Sequence, residues 1–534
     1  MKKIIFFLLI FSFFSCKKNE IKLEKYKAVE IKCDISKLPN WEISVLKEIC
    51  KTEEIINDLF LIQVHKKNPE WLKSIKDSKT KEYFLINFGP WDRADENKPF
   101  WGKLQKPKGA SFYPEDMIKE EFESFVSNLP EEEQKEFKSY FTVILREDGK
   151  LKAIPYSKYY DSYLIKLAEI LKEASKLSES PSLKKFLQSR AESFLSNNYF
   201  QSDMDWMDVS DTNLEITIGP YETYEDGLLG LKASFEAFVG VVNQEESEKL
   251  KFVAENLAEL DKNLPYPKGF NGVQKGFESP IKVIDLIFSA GDTKAGIQTI
   301  AFNLPNDERV VAQKGSKKVM LKNVIEAKFD AILIPISNIL LEKEIQSFVS
   351  KEAFFNEVLF HEVSHGLGPG IIYLSDGKQT TVRESLKELY SFLEEAKADV
   401  SSLFLIDYLI QNKKLPSNLE NESPATYLAS LFRALRFGME EAHGKGVLLQ
   451  FNWLYENGAI LRSSEGKYIL NLEKFNKSLR SLLEEIIFLQ ANGDYEGALK
   501  LSLKYTKAPE FLIKDLEKLK DLPVDIKPVY STSF

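Results

Sequence analysis

Residues 354–366 read Phe-Phe-Asn-Glu-Val-Leu-Phe-His-Glu-Val-Ser-His-Gly, and about one helix further on residues 394–399 read Glu-Glu-Ala-Lys-Ala-Asp. The first stretch suits a helix. Val358, Leu359 and Phe360 lead into the histidines, and Gly366 and Gly368-Pro369 end it. Histidines at i and i+4 lie roughly 40° apart around an α-helix, so His361 and His365 can reach one ion. They are two of only 4 histidines in 534 residues. Glu362, next to the first of them, projects close enough to act on a water at that ion.

The second stretch extends the pattern. Leu386, Leu389, Leu393, Ala396 and Val400 trace one apolar helix face, while Glu388, Glu395 and Asp399 share another side. Acids at i and i+4 repel unless a cation lies nearby, and a metal with its histidines removes that penalty. Glu395 is the expected third ligand. Asp399 is expected to orient a ligating imidazole through its other ring nitrogen, and Glu394 to do similar work. Two imidazoles and one carboxylate leave a position open on a single Zn²⁺, the arrangement of a catalytic site rather than a closed structural one. The expected chemistry is hydrolysis of a peptide bond: zinc acidifies its water, Glu362 takes the proton, and a donor stabilises the oxyanion. His443, from Gly438-Met439-Glu440-Glu441-Ala442-His443-Gly444, is the candidate donor. The competing reading is a solvated acidic face beside ordinary polar histidines.

Composition narrows the partners. The formal charge of −9 argues against a nucleic-acid partner, which needs a basic surface. The lysine pairs Lys17-Lys18 and Lys317-Lys318 are short enough for a solvated surface to explain them. At the N-terminus, Lys2-Lys3 precede an apolar stretch from Ile4 to Phe14, closed by Ser15-Cys16. That stretch is too short to span a bilayer and reads as an export signal, with Cys16 as the lipidated residue of an extracytoplasmic, membrane-anchored bacterial lipoprotein. Cys33 and Cys50 either form a disulfide or stay unpaired in helices.

Along the chain, residues 17 to about 40 read as a tether, and Trp41 to Phe84 as helices. Phe88 to Tyr113 reads as a long ordered loop, and another helical stretch follows from Pro114. Phe141–Leu145 is a strand running into an Asp148-Gly149 turn, and Tyr159–Asn197 a pair of helices broken near Pro181. Leu214–Gly219, Val283–Phe288 and Ala331–Ile336 are runs of strand type, and from Ile339 to about Leu519 the pattern is helical. The expectation is an α+β chain divided as a signal peptide (1–16), a mixed part (17–235 with 286–335), a helical catalytic part (236–285 with 336–520) and a loose tail (521–534).

These residues carry a family resemblance. His361–His365 with Gly366, then Glu394–Asp399, then Glu441-Ala442-His443 resemble the dipeptidyl peptidase III family of zinc peptidases. The likeness runs through Glu215–Tyr224, Phe235–Val239 and Asn303-Leu304-Pro305-Asn306. It implies a two-lobed fold, a largely helical zinc-bearing lobe facing a mixed lobe with a barrel-like β core across a cleft. It also implies removal of dipeptides from the free N-terminus of oligopeptides. His361, His365 and Glu395 then resemble the ligands, Glu362 the base and His443 a transition-state stabiliser. Glu215, Asn303 and Asn306 match positions that hold the substrate ammonium. The five-residue metal motif, where better-known members have six, is similar to the divergent branch joined to a Nudix domain in plants. No Nudix box is present in this sequence. The family's catalytic tyrosine, two residues after the strand glutamate, falls on Thr217, so either Tyr221, Tyr224 or another group compensates, or the activity is weak or altered. That substitution feeds an alternative: a peptide-binding lipoprotein with a retained structural zinc and little turnover.

Overall fold

Five strands position the site: β1 (Leu214–Pro220), β2 (Phe235–Val242), β3 (Ile281–Gly291), β4 (Ala301–Leu304) and β5 (Lys317–Leu321). They form one sheet in the order β4-β5-β3-β2-β1, antiparallel except where β5 runs parallel to β3. The computed structural model describes residues 21–534 apart from 271, 275–280, 375–376 and 437. Cys16 and the signal-like segment lie outside these residues. Among them the sheet does not close, since β4 and β1 are its edges. It curls instead, far enough for Glu215 of β1 to meet Lys317 of β5.

The sheet is buried from two sides, which is why its strands are apolar along most of their length. Leu214, Ile216, Ile218, Ala237 and Val239 pack into a core built with the N-terminal helices. Phe238, Val283, Leu286, Val319 and Met320 pack into a second core with the C-terminal helices. Both β2 and the start of β3 pair within the sheet, so residues 236–242 and 281–285 are strand residues.

The helical half supplies α1 (Lys351–Ser364), α2 (Tyr390–Gln411), α3 (Leu419–Leu435), α4 (Ala442–Glu456) and α5 (Leu472–Asn492). The Ser350 hydroxyl accepts from the Ala353 N–H at 3.1 Å and caps α1. On α2 the apolar stripe of Leu393, Ala396 and Val400 is buried, as expected.

Other expectations meet mixed fates. The Thr142–Glu147 and Lys150–Pro155 strands form a hairpin whose turn residues, Asp148 and Gly149, have φ of 50° and 74°. Helices Asp161–Leu177 and Pro181–Ser196 flank the break before Pro181. Residues 331–336 are helical rather than a strand, because an apolar run bounds a buried helix as readily as a buried strand. The tether and tail are not loose: Tyr26–Ile31 pairs in parallel with Asp525–Tyr530, and Pro528 is tolerated because that strand has a partner on one side only. Cys33 and Cys50 are free thiols.

Candidate metal centre and substrate cleft

α1 and α2 pack against one another and bring the two motifs together. The Nε2 atoms of His361 and His365 lie 3.1 Å apart. Oε2 of Glu395 lies 3.6 Å from His361 Nε2. One ligand atom from each of these three residues falls within 4.8 Å of the others. Zn–N and Zn–O bonds of about 2.0–2.1 Å at a tetrahedral angle place neighbouring ligand atoms about 3.3 Å apart. The donor set therefore fits zinc in both chemistry and spacing.

The ring nitrogens facing away are held. His361 Nδ1 lies 2.6 Å from Asp399 Oδ1, and the other Asp399 oxygen accepts from Gln450 Nε2 of α4 at 2.8 Å. His365 Nδ1 lies 3.3 Å from Glu394 Oε1. Glu394 in turn accepts from Lys397 Nζ at 2.9 Å and from Gln490 Nε2 of α5 at 3.2 Å. Each imidazole thus donates its Nδ1 proton to a carboxylate and turns its Nε2 lone pair inward. The Asp399 carboxyl is buried, but the imidazole of His361 beside it holds it down to about 2. His443, at the start of α4, places Nδ1 3.2 Å from Glu395 Oε2 with its side chain half exposed.

Glu362 is not solitary. Lys318 of β5 donates from Nζ to the Glu362 carboxylate at 3.0 Å and to the Glu362 backbone carbonyl at 2.7 Å. Neighbouring residues on a strand point to opposite faces, and the two lysines do so. Lys317 points the other way, to Glu215 at 2.8 Å, with Trp206 beneath it at 3.8 Å. Neither lysine is the surface residue expected from sequence.

The ammonium-holding set expected from sequence is split by this geometry. Glu215 is buried and already bound by Lys317 and, at 2.9 Å, by Lys282. Asn303 is the direct cross-strand partner of Lys318, so its side chain lies on the opposite face from Lys317 and Glu215. Asn306 is exposed, donates to the Tyr221 carbonyl at 3.1 Å and hydrogen-bonds the Glu222 carboxyl. Thr217 is fully buried, whereas Tyr224 is 84 % exposed. Tyr221, the other tyrosine offered in its place, is buried.

Compared with known proteins, residues 118–389 match Peptidase family M49. The chain is 38% identical to Nudix hydrolase 3 of Arabidopsis thaliana over 95% of its own length and 73% of that protein's. It is 28% identical to dipeptidyl peptidase 3 of Dictyostelium discoideum, over 44% of this chain and 33% of that protein. The solved structure of DPP III from Caldithrix abyssi superposes with a TM-score of 0.92 and 47% identity, covering 95% of this chain and 98% of that one. Dipeptidyl-peptidase III from Corallococcus sp. strain EGB gives 0.78 and 43%, covering 95% of each chain.

Proposed function

The chain belongs to peptidase family M49 and is a metallopeptidase of the dipeptidyl peptidase III type, and from there we propose that it uses one zinc ion to release dipeptides from the N-terminus of oligopeptides. The observation that carries this reading is the convergence of His361, His365 and Glu395, with Glu362 beside them. Zinc held there supplies Lewis-acid polarisation of a carbonyl and lowers the pKa of a nearby water.

The protein's own groups do the rest. Glu362 takes a proton from the attacking water and returns it to the leaving amine. His443, and Tyr224 in the role of the family's tyrosine, would donate to the negative oxygen that develops. Glu222, with the amide oxygens of Asn303 and Asn306, receives the substrate ammonium. Glu215 has no part in this, since its carboxylate is spent on two lysines.

Mass spectrometry of oligopeptides incubated with the zinc-loaded protein tests this reading. Successive loss of dipeptides is expected, abolished by N-terminal acetylation and by Glu362→Gln. Single-residue or internal cleavage would contradict it. We further propose a membrane anchor on Cys16, on the strength of residues 1–16 alone; Cys16→Ser is expected to abolish fatty-acid labelling and release the protein from membranes.

A further inference from the structure

We propose that Lys318 is a positioning residue that fixes the general base and couples it to the strand pair gripping the peptide's N-terminus. This rests on the functional reading above. Three observations on Lys318 support it.

First, Nζ bridges two acceptors of one residue, the carboxylate and the backbone carbonyl of Glu362. A glutamate held at both points has little freedom about its side-chain torsions. Lys318 occupies Oε2 and leaves the other carboxylate oxygen for the water's proton. When Glu362 is protonated mid-reaction the ionic attraction weakens, yet the 2.7 Å bond to the carbonyl keeps the lysine in place.

Second, Lys318 is the only lysine or arginine ion-paired with Glu362 among the described residues, and its side chain is 14% exposed. A lysine kept for solubility points its ammonium into water. This one crosses from the sheet to the helix that bears the metal ligands.

Third, its strand register places it directly opposite Asn303. Opposed residues of an antiparallel pair lie about 5 Å apart on the same face. One rung of the sheet therefore joins a group that would hold the ammonium to the lysine that binds the proposed base, Glu362.

The test compares Lys318→Met, which keeps length without charge, with Lys318→Arg, which keeps the charge. On a dipeptidyl-arylamide, Lys318→Met is expected to lower kcat about 10–100-fold with KM and zinc content unchanged. Lys318→Arg is expected to restore most of that loss. In the metal-free protein, Lys318→Met and Glu362→Gln are expected to shift the melting temperature non-additively, because each removes the same contact. An unchanged kcat in Lys318→Met, equal losses in both lysine variants, or additive melting shifts would overturn the proposal. If the wild type itself releases no dipeptide, the functional reading fails. If it does and Lys318→Met matches it, only this inference fails.

Discussion

His361 and Asp399 are joined by a 2.6 Å contact between Nδ1 and Oδ1, and that contact decides which ring nitrogen is left for a metal. Asp399 is able to do this because it has two acceptors for two donors, the imidazole and Gln450. An asparagine offers one oxygen and an NH₂ group, so one of the two donors would face another donor. Asp399→Asn is expected to weaken zinc binding about 10–100-fold, measured by competition with a chelator. Affinity equal to wild type would mean that the imidazole needs no such partner.

Glu222 and Glu215 make opposite predictions. Glu222→Gln removes the negative charge proposed to meet the substrate ammonium, and a charged hydrogen bond contributes about 1.5–3 kcal/mol. KM for a tripeptide is expected to rise roughly 10–100-fold with zinc content unchanged. Glu215→Gln instead leaves Lys317 and Lys282 without their counter-ion in a buried place, and removing one partner of a buried pair costs about 3–5 kcal/mol. Chemical denaturation should show that loss. A stable Glu215→Gln protein with a raised KM would reverse the assignment.

Asp292 predicts a pH dependence of stability. Burial first, and then the negative charge of Glu225, push its carboxyl up to about 7, against the pull of Arg93 and Lys106. Its Oδ2 is buried with no hydrogen-bond partner among the described residues. Below pH about 4 the group is protonated both folded and unfolded, and it imposes no penalty. As pH rises the unfolded chain ionises first, so stability falls through the interval up to pH 7 and stays at its lower value above it. Asp292→Asn is expected to flatten this part of a melting-temperature profile, and an identical profile in the variant would refute the assignment.

The convergence of His361, His365 and Glu395 was legible in the sequence because these residues sit on helices. Spacing on a helix converts directly into direction, so His361, His365, Glu395 and Asp399 were assigned from i, i+4 arithmetic alone. The strand residues were harder. Whether Glu215 ends buried against lysines depends on sheet face and curl, which alternation within one strand does not reveal. Lys317 and Lys318 read as solvated for the same reason, although the structure sends them to opposite faces and gives each an acid. The pairing of Tyr26–Ile31 with Asp525–Tyr530 joins segments from the two ends of the chain, and no local pattern announces a partner so far away. Ala331–Ile336 was ambiguous by composition, since buried helices and buried strands draw on the same residues.

The account depends on α1 and α2 offering three donors to one ion. Metal analysis of the purified protein by mass spectrometry, alongside Glu395→Ala, tests this most directly. Close to one zinc per chain is expected in the wild type, with affinity in the variant reduced at least about 10-fold while its fold is retained. Wild-type protein that takes up no zinc, or a Glu395→Ala protein that holds it as tightly as wild type, would contradict the account.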